Sequence, residues 1–143
     1  MTTIKLTESE LQYISLFEAL TQVEALDCVN DEENGRVIFI VKRGMAGRAI
    51  GSKGSNVKLL RKLIGRDVEV VEMGDTLEEL ISAALFPVKV LSVEIREDEN
   101  GEKVAMVEVP PSQKGLAIGR GGRNVKKLRL LAKRYFGVNV VLK

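Results

Sequence analysis

Ten residues around a glycine-rich segment recur in register 68 positions further along the chain. Gly47, Ala49, Ile50, Gly51, Gly54, Asn56, Val57, Lys58, Leu60 and Arg61 return as Gly115, Ala117, Ile118, Gly119, Gly122, Asn124, Val125, Lys126, Leu128 and Arg129. A chain of 143 residues with such a duplication holds two copies of one small unit. Units of about 70 residues bury little surface and are marginal alone, so the two are expected to pack on each other. The units are placed at residues 1–74 and 75–143, meeting at Met73-Gly74-Asp75. So short a joint predicts little independent motion.

The similarity reaches beyond the glycines. Thr7-Glu8-Ser9-Glu10 and Thr76-Leu77-Glu78-Glu79 each have the capping-box pattern of a helix start, threonine followed three residues later by glutamate. Phe17 and Phe86 follow ten residues after those threonines, which predicts equivalent places in the two units. Two β-rich runs come next: Val23 to Val29 and Arg36 to Lys42, then Val88 to Arg96 and Lys103 to Val109. Each pair flanks an Asn-Gly, at Asn34-Gly35 and Asn100-Gly101, a hairpin signal because both residues tolerate positive φ. Short helices are predicted over Met45 to Ile50 and Ser112 to Ile118. Longer ones are predicted over Ser55 to Ile64 and Arg123 to Tyr135, and final strands over Asp67 to Met73 and Val138 to Leu142. The fold class is therefore α+β, an α/β sandwich. Each unit runs helix, strand, strand, helix, glycine loop, helix, strand, with a three-stranded sheet covered by helices.

Charge is sharply segregated. The windows Lys42 to Arg66 and Lys114 to Arg134 each hold eight bases and no acid, sixteen of the chain's 22 Lys and Arg, while all 20 Asp and Glu lie elsewhere. Ordinary solvated faces mix both signs, so two purely basic windows centred on glycine loops indicate polyanion contacts. A bare Gly-x-x-Gly carries little information, since at ~7% glycine about 0.7 arise by chance in a chain this long. Gly44-Met45-Ala46-Gly47 is such a pair, with apolar middle residues, and reads as a turn. The loops Gly51-Ser52-Lys53-Gly54 and Gly119-Arg120-Gly121-Gly122 differ because their flanks are shared. A helix start behind each offers N–H groups and a positive dipole end to a phosphate. Two such loops suggest a nucleic-acid strand held at two points.

Composition narrows the remaining classes. Histidine is absent, which removes the commonest general base and metal ligand. The single cysteine, Cys28, sits in an apolar stretch and reads as a buried small hydrophobe. No P-loop pattern is present and no acid flanks either loop to hold a metal, so no catalytic residue, cofactor, metal or small-molecule substrate is expected. No run reaches a membrane span of ~20 apolar residues, and Met1 to Leu6 lacks a signal-peptide pattern. A cytoplasmic binding protein is expected rather than an enzyme.

Ile-Gly-x-x-Gly followed by Asn-Val and a basic helix resembles the KH domain, and the element order resembles its type II form. Two such units joined by a minimal linker are similar to the short archaeal relatives of the transcription factor NusA. The resemblance covers Thr7 to Lys143. It implies a clamp on about four single-stranded nucleotides per unit, with bases in an adjoining apolar groove. Implied RNA contacts are Gly51, Ser52, Lys53, Gly54, Gly119, Arg120, Gly121 and Gly122 in the loops. Around them come Arg48, Asn56, Lys58, Arg61, Arg123, Asn124, Lys126 and Lys127. Asn56 and Asn124 are equally suited to capping the helix start. Ile50, Val57, Ile118 and Val125 read as core more than as groove floor. The partner implied is single-stranded RNA, with RNA polymerase by resemblance only. The bacterial form carries a polymerase-binding domain and an oligonucleotide-binding barrel that this sequence does not show. The leading function is a transcription elongation or termination factor. A role in ribosome assembly or translation is the alternative, with a mononucleotide enzyme or a protein scaffold behind it.

Overall fold

The computed structural model describes residues 5–143, so Met1 to Ile4 at the start of the first unit lie outside the described residues. The chain divides into two compact units that part between Met73 and Gly74. The first contains α1 (Glu8–Thr21), β1 (Asp27–Asp31), β2 (Arg36–Val41), α2 (Ala46–Ile50), α3 (Ser55–Ile64) and β3 (Asp67–Glu72). The second contains α4 (Leu77–Leu85), β4 (Ser92–Glu97), β5 (Lys103–Glu108), α5 (Lys114–Ile118), α6 (Arg123–Phe136) and β6 (Asn139–Leu142). Each unit has a three-stranded mixed sheet, in the order β1-β2-β3 or β4-β5-β6. The first two strands pair antiparallel, and the third lies parallel to the second. The architecture is the α+β arrangement expected from the sequence.

Local chemistry sets these elements. Thr7 caps α1 with a reciprocal box: the Glu10 N–H donates to Thr7 Oγ1 at 3.3 Å, and the Thr7 N–H donates to Glu10 Oε1 at 2.8 Å. The second box is half formed. The Glu79 N–H donates to Thr76 Oγ1 at 3.2 Å, but the Glu79 carboxylate accepts from Asp75 N–H, one residue before the cap. The hairpins also depart from expectation. Only the glycines of the two Asn-Gly pairs take positive φ, +63° at Gly35 and +78° at Gly101. Asn34 instead donates its amide to Asp31 at 3.0–3.1 Å. The run from Val88 joins the sheet late: the Leu91 N–H donates to the Glu108 carbonyl at 2.8 Å and residue pairing begins at Ser92 opposite Glu108, where β5 ends before Pro110-Pro111, which have no N–H to give.

In the first unit Val37, Phe39 and Val41 alternate onto one face of β2 and join Phe17, Val57 and Leu60 in the core. Phe17 stacks on Phe39 with ring centroids 4.3 Å apart. Cys28 is buried in the same core. Phe86 does not repeat Phe17. It stands 82% exposed just past the end of α4, a helix of 9 residues against 14 for α1. The shorter helix ends before the phenylalanine can turn inward.

One buried charge group gathers at the start of β2 in the first unit. Arg36 is fully buried at the start of β2 and pairs with Asp31 at 2.8 Å and Glu69 at 2.9 Å. Arg66 closes the group by donating to Asn30 Oδ1 and to the Asp31 carbonyl. Burial pushes the Asp31 carboxyl up, but the Arg36 guanidinium and the Asn34 amide together outweigh it and hold the group below its ordinary range. Its ionised form therefore stabilises the fold fully at neutral pH. That contribution is lost as pH falls through the depressed folded-state value. Asp31→Ala, which leaves Arg36 with one carboxylate, is expected to cost roughly 3–5 kcal/mol. Urea denaturation followed by circular dichroism checks this. The wild type is expected to lose stability on acidification more steeply than the variant, and parallel pH profiles would refute the assignment.

Candidate nucleic-acid interface

Each unit turns its chain at the same point by the same means. α2 ends at Gly51 with φ +83° and ψ 170°, and α5 ends at Gly119 with φ +79° and ψ 168°. That backbone region is nearly closed to residues with a Cβ. Space closes it again. A Cβ on Gly51 would lie 2.8 Å from Ser55 Oγ and 3.0 Å from the Asn56 side chain, and one on Gly119 would lie 2.8–3.0 Å from Asn124. A single 3-10 turn follows, over Ser52–Gly54 or Arg120–Gly122, closed by a hydrogen bond of 3.1 Å from the last glycine's N–H to the first glycine's carbonyl. Gly54 (φ +74°) and Gly122 (φ +79°) then stand at the N-caps of α3 and α6, with no side chain capping either helix. The uncapped amides and the helix dipole face the loop.

The asparagines brace this turn. Asn56 Nδ2 donates to the Arg48 carbonyl at 3.4 Å, and Asn124 Nδ2 donates to the Leu116 carbonyl at 2.8 Å. Each ties the long helix back to the short one across the loop. The amide thus spans the loop instead of capping the helix start.

The middle residues differ, yet the backbones agree. Lys53 takes φ +54° and ψ 28°, and Gly121 in the equivalent place takes φ +64° and ψ 19°. Among the described residues Lys53 is one of two non-glycine residues with positive φ, the other being Gln22. The first loop holds its cation in a strained conformation. The second carries its cation one position earlier, on Arg120, and leaves the strained place to glycine.

Ser52, Lys53, Arg120 and Gly121 are exposed, as are Arg48, Lys58 and Lys126, while Gly51, Gly54, Gly119, Gly122 and Arg123 are half-buried. Lys58 and Lys126 fold back over the loop. The Cε of Lys58 lies 3.9 Å from the Cβ position of Gly54, and that of Lys126 lies 3.6 Å from the Cβ position of Gly122. Ile50 and Ile118 sit beside the loops at 36% exposure, whereas Val57 and Val125 are buried. The isoleucines thus differ from the core placement expected of them, because each ends its short helix where the chain turns away.

Two further expected contacts, Arg61 and Lys127, are engaged within the fold. Arg61 is bound to the start of β3, with its Nε 2.7 Å from Asp67, and its repeat partner Arg129 donates to the Val140 carbonyl at 3.2 Å. Both lock the long helix to the last strand, a structural duty that explains their recurrence. Lys127 is only 8% exposed, so its stem packs inside instead of reaching solvent. Helical spacing alone does not separate these cations from the loop-facing ones. The separating signal is distance along the helix, since Lys58 and Lys126 lie in the first turn and Arg61 and Arg129 in the second.

Sequence comparison places the geometry in a family. A protein of Halobacterium salinarum, probable transcription termination protein NusA, is 39% identical over 137 residues, spanning 96% of both chains. A KH-domain family profile matches residues 11–100, and a NusA-like second KH domain profile matches residues 77–142. The chain belongs to the NusA-like KH family. It therefore stands among NusA-like RNA-binding factors. Its counterpart in Methanocaldococcus jannaschii is 32% identical, over 94% of this chain and 72% of that one. The crystal structure of APE1850 is 46% identical and matches with a TM-score of 0.87, covering 96% of this chain and all of that one. Among the described residues, no helix is long and apolar enough to cross a membrane.

The strained lysine gives a direct check on the loop geometry. Lys53→Gly is expected to stabilise the first unit by about 1 kcal/mol, and Gly121→Lys to destabilise the second by about as much. Both changes are read from urea unfolding midpoints. A destabilised Lys53→Gly with a stabilised Gly121→Lys, or no change in either, would contradict the left-handed backbone at this position.

Proposed function

We propose that the protein binds single-stranded RNA at both Gly-x-x-Gly loops and acts as a transcription elongation or termination factor. The observation that carries the reading is the repeated loop. Two different middle sequences adopt one backbone, each with an exposed cation, an uncapped helix start and a lysine folded over the second glycine. Phosphates approach the bare glycine backbone and meet Lys53 and Lys58 in the first unit, or Arg120, Arg123 and Lys126 in the second. Ile50 and Ile118 offer apolar surface beside the loop for a base. The two asparagines act by positioning. The relatives' names supply the process, transcription termination, and RNA polymerase is the protein partner this role requires. The reaction chemistry is binding alone, in the cytoplasm, with no cofactor. Each clamp is weak by itself, and sharing one chain raises the effective concentration of the second once the first is engaged.

The test is fluorescence anisotropy with a labelled single-stranded RNA. Replacing Ser52 and Lys53 with aspartate, or Arg120 and Gly121 with aspartate, is expected to weaken binding by about tenfold or more, with circular dichroism unchanged. The log-log salt dependence should have a slope of about −0.7 per phosphate neutralised, and become shallower in each variant. Unchanged affinity in both variants would overturn the site. Recovery of ribosomal subunits instead of RNA polymerase with the tagged protein would overturn the transcriptional role and leave the RNA site standing.

A further inference from the structure

The outer strand of the second sheet is left open, unlike its repeat partner. β1 is buried at four of its five residues, whereas every residue of β4 is exposed except Val93, which is half-buried. Apolar side chains accompany that edge: Leu91 is 49% exposed and Ile95 is 45% exposed. Open edges with apolar residues invite another strand.

The hydrogen-bond phase of β4 is determined by its neighbours. Asp98 N–H donates to the Glu102 carbonyl at 2.8 Å, and Lys143 N–H donates to the Val107 carbonyl at 2.8 Å. With the observed register, the main-chain groups of Ser92, Glu94 and Arg96 therefore face β5. Those of Val93, Ile95 and Glu97 face outward. An incoming strand meets these three residues.

The side chains single out one occupant. Antiparallel pairing of β4 with itself about Ile95 sets Ile95 opposite its own copy and Val93 opposite Glu97, which are the residues with outward main-chain groups. The same register sets Glu94 opposite Arg96 twice, in the pairs where side chains approach most closely. No like charges fall opposite each other. Within one chain Glu94 and Arg96 already pair at 3.2 Å on the open face, and this guanidinium holds the Glu94 carboxyl below its ordinary range. A strand of arbitrary sequence lacks this pairing of Ile95 with itself between two Glu94–Arg96 matches.

We infer that two copies of this chain associate through β4, edge to edge about Ile95, extending two three-stranded sheets into one of six strands. Two strands of six residues make a small contact, so the dimer is weak, dependent on concentration and weakened by salt.

Sedimentation equilibrium of RNA-free protein, from micromolar to millimolar, tests this without involving the RNA site. The mass is expected to rise from 15.8 kDa towards twice that value. Glu94→Arg alone and Arg96→Glu alone should each remain monomeric, because like charges then face each other. An equimolar mixture of the two single variants should associate again, since Arg and Glu once more oppose at both positions. Ile95→Pro should also remain monomeric while keeping its fold, because the N–H it removes does not bond to β5. A wild type that stays monomeric throughout would overturn the inference. So would a dimer that survives both charge reversals, which would be using another surface.

Discussion

Each half of the molecule depends on one backbone reversal, at the glycine that ends the short helix. The conformation at Gly51 and Gly119 excludes a side chain twice over, once through φ and ψ and once through the asparagine packed against the missing Cβ. Everything downstream inherits that geometry. The long helix starts without a cap, its first-turn lysine lies over the second glycine, and its second-turn arginine locks to the final strand. The basic windows are thus divided in function. Lys53, Lys58, Arg120 and Lys126 stand exposed at the loops, while Arg61, Arg66 and Arg129 hold the fold together.

The element order was legible because three kinds of signal agreed: helix caps, hairpin glycines and the 68-residue repeat. The helix over Ser55–Ile64 matches its expected bounds, since glycine stands at both ends to mark them. Strand starts were less legible. Val88 and Val90 alternate as a strand does, but a ladder needs a partner, and the prolines that end β5 lie far away in sequence. Phe86 was misplaced for a related reason: equal spacing from a helix cap says nothing about how long the helix runs.

At the site, the glycines and loop cations could be read directly, because a recurring pattern of glycine and charge has few structural explanations. The function of Asn56 and Asn124 could not, since a bond to the carbonyl of Arg48 or Leu116 depends on how two helices cross. The buried Arg36 group escaped as well. Its members are spread from Asn30 to Glu69 and meet only once β3 is laid beside β2. No local pattern distinguishes a buried arginine from an exposed one.

The asparagine brace has a consequence for how such loops diverge. It grips the turn from outside, and the two central residues add only backbone to it, the Ser52 and Arg120 carbonyls accepting from the Ser55 and Arg123 N–H groups. Ser-Lys and Arg-Gly accordingly share one backbone frame, with strain at Lys53 as the difference between them. Duplicated copies can drift apart in charge placement and ligand preference while the scaffold beneath them stays constant.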